Sequence, residues 1–133
     1  MSGGDRAAAI VAAARALIGV PFRLHGRDPA TGIDCVGLAA LALERAGHRG
    51  AGPTRYGLRA GLPGAERWLA EAGLARVVVP GPGDLALVRP SPVQLHLMVR
   101  TGCGFIHAHA GVGRVVETPG ALGWPLLGHW RPV

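Results

Sequence analysis

The residues best equipped for chemistry begin with a thiol placed directly after an acid. In Gly32-Ile33-Asp34-Cys35-Val36-Gly37-Leu38, Cys35 opens an alanine- and leucine-rich run that reaches Ala46. Asp34 suits an N-cap and the run reads as helix, so Cys35 is expected among N–H groups with no intrahelical acceptor, at the positive end of the helix dipole. That setting favours thiolate over thiol, and the N–H of Cys35 can meet a developing oxyanion. A nucleophilic thiol needs a base. His96 stands in Val93-Gln94-Leu95-His96-Leu97-Met98-Val99, an apolar segment of strand character, and Phe105-Ile106-His107-Ala108-His109 offers a second imidazole to orient the first. His107 and His109 are two residues apart and share one side of a strand, so alternation leaves open which of them supports His96. The other is structural or faces substrate. Asp34 either caps the helix or binds a substrate amine.

A single cysteine in an apolar helix is more often a small buried hydrophobe than a nucleophile. Here the start of a helix, a histidine on a strand and a histidine on the next strand together turn the reading toward catalysis. Metal binding is the competing use of the same residues, but no Cys-x-x-Cys or His-x-x-x-His spacing is present, so no metal site is assigned and no cofactor is implied. Cys103, in Thr101-Gly102-Cys103-Gly104, reads as a turn residue between strands, and both cysteines are taken as free thiols. His25, His48 and His129 have no partner pattern and are read as surface or loop residues.

The elements that must position these groups follow from periodicity. Ile10, Ala14, Leu17 and Ile18 recur at helical spacing and predict a first amphipathic helix from about Asp5 to Ile18, stopped by Gly19 and Pro21. Pro21 to Gly32 is loop, with Asp28-Pro29-Ala30-Thr31-Gly32 as turn chemistry leading into the Cys35 helix, which ends near Ala46-Gly47. Gly50 to Gly64 is read as irregular, and Ala65 to Ala72 as a short third helix closed by Gly73. Strand grammar follows at Val77-Val78-Val79, Leu85 to Arg89, Leu95 to Thr101, Phe105 to Ala110, Arg114 to Glu117 and Leu126 to Arg131. Within the Leu95 to Thr101 run, Leu95, Leu97 and Val99 share one face while His96 and Met98 share the other. Helices first and an antiparallel sheet afterwards predict an α+β domain.

Composition bounds the function. The chain has 133 residues, 49% of them hydrophobic, which predicts one folded domain over 1–133. The formal charge is +6, carried by arginine with no lysine, and the arginines are scattered from Arg6 to Arg131 rather than blocked. Scattered arginine without a recognition motif argues against nucleic-acid binding. The apolar run Ala7–Ala14 is interrupted by Arg15, and Asp5 offsets Arg6. The segment therefore reads as neither a secretion signal nor a membrane span, and the chain is expected to be made in the cytoplasm.

Along most of its length, to about Glu117, the sequence resembles the NlpC-type family of cell-wall cysteine peptidases. Gly19-Val20-Pro21-Phe22-Arg23 resembles the family's Gly-x-Pro-Tyr segment, Asp34-Cys35-Val36-Gly37-Leu38 its Asp-Cys-Ser-Gly-Leu motif, and Pro82-Gly83-Asp84-Leu85 its Pro-Gly-Asp-Leu strand entry. His96-Leu97-Met98-Val99 resembles the His-Val-Gly-Ile base strand, and Phe105-Ile106-His107-Ala108 the Phe-Ile-His-Ala strand. The resemblance implies a reduced papain-like fold, N-terminal helices on a central antiparallel sheet, and Cys35, His96 and His107 as nucleophile, base and orienting residue. It places Phe22 near the nucleophile, so that Phe22 joins Asp34 and His109 as a candidate substrate contact, and it implies peptidoglycan stem peptides as substrate, cleaved between D-glutamate and diaminopimelate. Phe22 departs from the family's tyrosine, Val36 from its serine, and Leu24-His25 from its Trp-Gly, all on the substrate side. Asp-Cys-Val-Gly-Leu and the Gly111–Glu117 ending resemble the branch found beside phage-tail and gene-transfer-agent genes, which implies phage-like tail proteins as partners and delivery to the wall by a particle. The same thiol could serve an amidase or acyltransferase, and the same fold a non-catalytic tail or wall-binding module.

Overall fold

The structure is a computed structural model that describes residues 2–49, 61–121 and 123–133. Helix α1 spans Gly3–Arg15 and begins earlier than the apolar spacing predicts, because Ser2 caps it: Asp5 N–H donates to the Ser2 hydroxyl and Ser2 N–H to the Asp5 carboxylate. It also stops earlier. Beyond Arg15 the chain tightens into i→i−3 bonds, Leu17 N–H to Ala14 and Ile18 N–H to Arg15, and Gly19 turns it out at φ 93°. Ile10, Ala14 and Leu17 are buried, whereas Ile18 points out.

Residues 20–33 contain a two-stranded ribbon that periodicity misses, β1 (Arg27–Asp28) against β2 (Gly32–Ile33). Helix α2 follows at Cys35–Arg45, with Asp34 as its N-cap and Ala46-Gly47 as its end, Gly47 at φ 87°. Its first turn lies hard against this loop, and a Cβ on Gly37 would sit 2.2 Å from the Gly26 carbonyl oxygen, so only glycine fits there. Helix α3 spans Gly61–Glu71, which corrects the irregular reading of 61–64: Pro63 lies in the first turn, where a missing N–H removes no intrahelical bond. The remainder of the Gly50–Gly64 reading, residues 50–60, lies outside the described residues.

The sheet follows with β3 (Leu74–Val77), β4 (Leu85–Ser91), β5 (Gln94–Arg100), β6 (Gly104–His109), β7 (Arg114–Pro119) and β8 (Leu126–Pro132), all neighbours antiparallel in the order β3-β8-β4-β5-β6-β7. The β-run expected at Val77–Val79 is displaced: only Val77 pairs, with His129, and Val78 and Val79 are exposed. Strand β4 continues past Arg89 through Pro90 because its pairing to β5 shifts register between Val88 and Ser91, which removes the demand for a proline N–H.

One face of the sheet carries Leu85, Leu87, Leu95, Leu97, Val99, Ile106, Ala108, Val115 and Trp130 against α1, α2 and α3, forming the main core. The opposite face has a smaller cluster of Ala86, Val88, Met98 and Phe105, with Trp124 packed on it. His96 pairs with Val88 in the β4–β5 register, and so shares this second face. The architecture is the α+β arrangement that the element order predicts.

Candidate active site

Asp34 is the anchor from which the site is built. Its buried carboxylate accepts from Gly37 N–H at 2.9 Å, from His25 N–H at 2.9 Å and from the Arg27 guanidinium at 3.1 Å. One acid therefore caps α2, fixes the preceding loop and sets the position of the next residue, Cys35. His25 holds a left-handed backbone, φ 65°, to deliver its N–H, and its side chain lines the cleft described below rather than standing apart from it.

Strands β5 and β6 pair at Val99↔Ile106 and Arg100↔Phe105, and beyond those residues they part. A cleft of about 620 Å³ opens there. Cys35, His96, His107, Asp34, Phe22 and His109 all line it, so the six residues singled out from the sequence meet in one place. Leu24, Val93 and Trp124 add an apolar wall. Across the parted strands His96 Nε2 and His107 Nδ1 lie 3.2 Å apart, and His107 Nε2 lies 3.0 Å from Thr118 Oγ1. The indole of Trp124 stands edge-on to both rings, at centroid distances of 5.7 and 5.9 Å. His109 Nδ1 accepts the Val112 N–H at 3.0 Å, which leaves Nε2 to carry the proton of the neutral ring.

The protonation of the thiol differs from the sequence expectation. The N–H groups of Leu97, Val36 and Cys35 do favour the anion, but burial outweighs them, Asp34 adds like charge, and the thiol is pushed up to about 11. Burial also pushes His96 down to about 3, with repulsion from His107 and His109 adding to it, and His107 down to about 4. The resting site thus holds a neutral thiol and two neutral imidazoles. Such a site can transfer a proton during attack, from sulfur to a base already free to take it.

Two further residues escaped the sequence reading. Thr118 is diagonal to His107 across the β6–β7 ladder, whose register pairs His107 with Val116. No motif marks it; the signal is its reach of two residues in an alternating strand. Trp124 lies between strands in a Gly/Pro-rich stretch without periodicity. His129 corrects the surface reading: it is buried in β8, 3.3 Å from the Arg100 guanidinium. His48 is half-buried and bonds the Ala72 carbonyl at 2.7 Å. Cys103 stands exposed at the β5–β6 turn, and both cysteines are free thiols. Among the described residues no cluster of three or more His, Cys, Asp or Glu is arranged to hold a metal ion, and no helix is long and apolar enough to cross a membrane.

The sequence matches no protein-family model and no curated protein. Solved structures do resemble it. NlpC1 from Trichomonas vaginalis superposes with a TM-score of 0.72 at 18% identity, over 98% of this chain and 46% of that one, so the chain spans less than half the length of that relative. The NlpC/p60 domain of the peptidoglycan hydrolase SagA gives 0.58 at 29% identity, over 85% of this chain and 88% of that one. The peptidoglycan hydrolase RipB from Mycobacterium tuberculosis gives 0.63 at 20% identity, over 97% and 65%.

Proposed function

From the NlpC/P60 fold that the chain shares with these structures, we propose that it is a cysteine peptidase, a peptidoglycan endopeptidase of that family. It hydrolyses peptide bonds in peptidoglycan stem peptides. The observation that carries this reading is the cleft that Cys35, at the head of α2, and the hydrogen-bonded pair His96–His107 line together. The hydrolase activity of SagA and RipB supports the substrate class.

In this mechanism His96 Nδ1 takes the thiol proton as Cys35 Sγ attacks the scissile carbonyl, and the Cys35 N–H receives the oxyanion. The imidazolium then gives that proton to the leaving amine, and the acyl group remains as a thioester on Cys35. Water, deprotonated by the same ring, cleaves the thioester and restores the thiol. His107 holds His96 with Nε2 engaged, which reserves Nδ1 for the sulfur. Phe22 packs against substrate, and His109 donates from Nε2 to a substrate carbonyl or carboxylate. Asp34 positions Cys35 and offers negative charge beside a substrate ammonium.

Within this class the bond assigned is D-glutamate to diaminopimelate, the bond that resemblance to the family as a whole suggests. Delivery by a phage-like tail is the reading that the resemblance of Asp34–Leu38 and Gly111–Glu117 to that branch supports, and it requires the protein in purified particles; its absence there would remove that part alone. Mass spectrometry of muropeptides tests the activity. Wild type is expected to release new free amino termini and Cys35→Ala none. Separated glycan and peptide would instead indicate an amidase, and unchanged muropeptides with retained sacculus binding a non-catalytic module.

A further inference from the structure

The hydrogen bonds behind His96 extend one residue further than the nucleophile, base and orienting residue require. We infer that Thr118 is a positioning residue: as the acceptor for His107 Nε2–H it supports the pair of tautomers in which His96 Nδ1 is free to act as base. The inference rests on the peptidase reading for its kinetic consequence but on geometry alone for its proton arrangement.

Two proton assignments satisfy the contacts His96 Nε2···His107 Nδ1 at 3.2 Å and His107 Nε2···Thr118 Oγ1 at 3.0 Å. In the first, His96 Nε2–H donates to His107 Nδ1, His107 Nε2–H donates to the threonine hydroxyl, and His96 Nδ1 carries a lone pair. In the second, the hydroxyl donates to His107 Nε2, His107 Nδ1–H donates to His96 Nε2, and His96 Nδ1 carries the proton. Only the first presents a base to a protonated thiol. It requires an acceptor at the far end of the chain, since His107 is itself 1% exposed and an imidazole N–H with no partner there costs stabilisation. Around His107 the neighbouring rings are His96, His109 and Trp124, and among its hydrogen bonds Thr118 supplies the acceptor for Nε2. When His96 becomes an imidazolium, its Nε2–H makes a charge-assisted bond to His107 Nδ1, which in turn polarises the His107–Thr118 bond, so the chain stabilises the cation.

Thr118→Val keeps shape and removes the acceptor, whereas Thr118→Ser keeps the acceptor. In protein labelled with ¹⁵N-histidine, wild type and Thr118→Ser are expected to show the His107 proton on Nε2, and Thr118→Val to lose that preference. With muropeptide substrate, kcat/KM of Thr118→Val is expected to fall on the order of 10- to 100-fold, with KM little changed and Thr118→Ser near wild type. A wild-type His107 protonated on Nδ1 overturns the inference before any variant is made. So does a Thr118→Val protein with the wild-type tautomer and kcat/KM within about 2-fold of wild type. A wild type that shows the Nε2 tautomer but cleaves no muropeptide leaves the proton chain standing and removes the peptidase reading instead.

Discussion

Cys35 stands between two opposing effects. Helix-terminal N–H groups favour its anion, and removal from water disfavours it, with burial prevailing. In the resting protein, iodoacetamide at pH 7 is therefore expected to modify exposed Cys103 before Cys35, and the Cys35 rate to climb steeply between pH 9 and 11; peptide mapping of alkylated protein reads both sites. Preferential labelling of Cys35 at pH 7 would show that the dipole wins. The imidazoles give a second residue-scale outcome. His96 and His107 are depressed from the ordinary 6.5 to about 3 and about 4, so between those values and 6.5 the unfolded chain binds protons that the folded chain does not. Stability is complete above 6.5 and is lost as pH falls toward 3. The raised thiol acts at the other end: between 9 and 11 the folded chain keeps a proton that the unfolded chain releases, and stability falls as pH rises. Urea midpoints should be highest near pH 7 to 8, and His96→Gln should flatten the acidic limb. These protonation states were not legible in the sequence, because burial depends on packing between elements far apart in the chain.

At the scale of the element, the head of α2 shows why the nucleophile motif was readable. Asp34 as cap and Cys35 as first helical residue are local facts, and each is met in the structure, whereas the close approach of Gly37 to the Gly26 carbonyl depends on the loop fold and had no local signal. Gly37→Ala drives a methyl into the Gly26 carbonyl and is expected to cost about 1 to 3 kcal/mol in urea unfolding. Asp34→Ala removes the cap, the His25 bond and the Arg27 pair together, with an expected loss of about 2 kcal/mol or more. Strand alternation likewise put His96 on the face opposite Leu95, Leu97 and Val99. What escaped was anything set by pairing: the β1–β2 ribbon has two residues a side, too short for a pattern, and β3 begins at Leu74 because β8 offers it a partner there, leaving the more strand-like Val78 and Val79 outside. The first helix was placed late because Ser2 and Asp5 carry a capping signal that apolar spacing does not contain.

For the molecule as a whole, the long closure between β4 and the C-terminal strand is fastened by charge. Asp84, 1% exposed, accepts from Arg131 Nε at 2.7 Å, from Arg131 Nη2 at 2.9 Å and from the Gly81 N–H at 2.7 Å. Arg131→Met strands that carboxylate and is expected to cost on the order of 3 kcal/mol, measured by thermal or urea unfolding, whereas loss of less than about 0.5 kcal/mol would mean that solvent reaches Asp84 freely. The α+β order was legible from the switch in periodicity after Gly73, but the strand order was not, since β8 inserts between β3 and β4 and nothing in its sequence marks that position. The meeting of α2 with the parted ends of β5 and β6 is the feature on which the functional account depends. It is tested most directly by acid-quenching the protein during turnover of a purified stem peptide and mapping covalent adducts by mass spectrometry. The account predicts an acyl thioester on Cys35 in wild type, with neither adduct nor product from Cys35→Ala; product released by Cys35→Ala at the wild-type rate would contradict it.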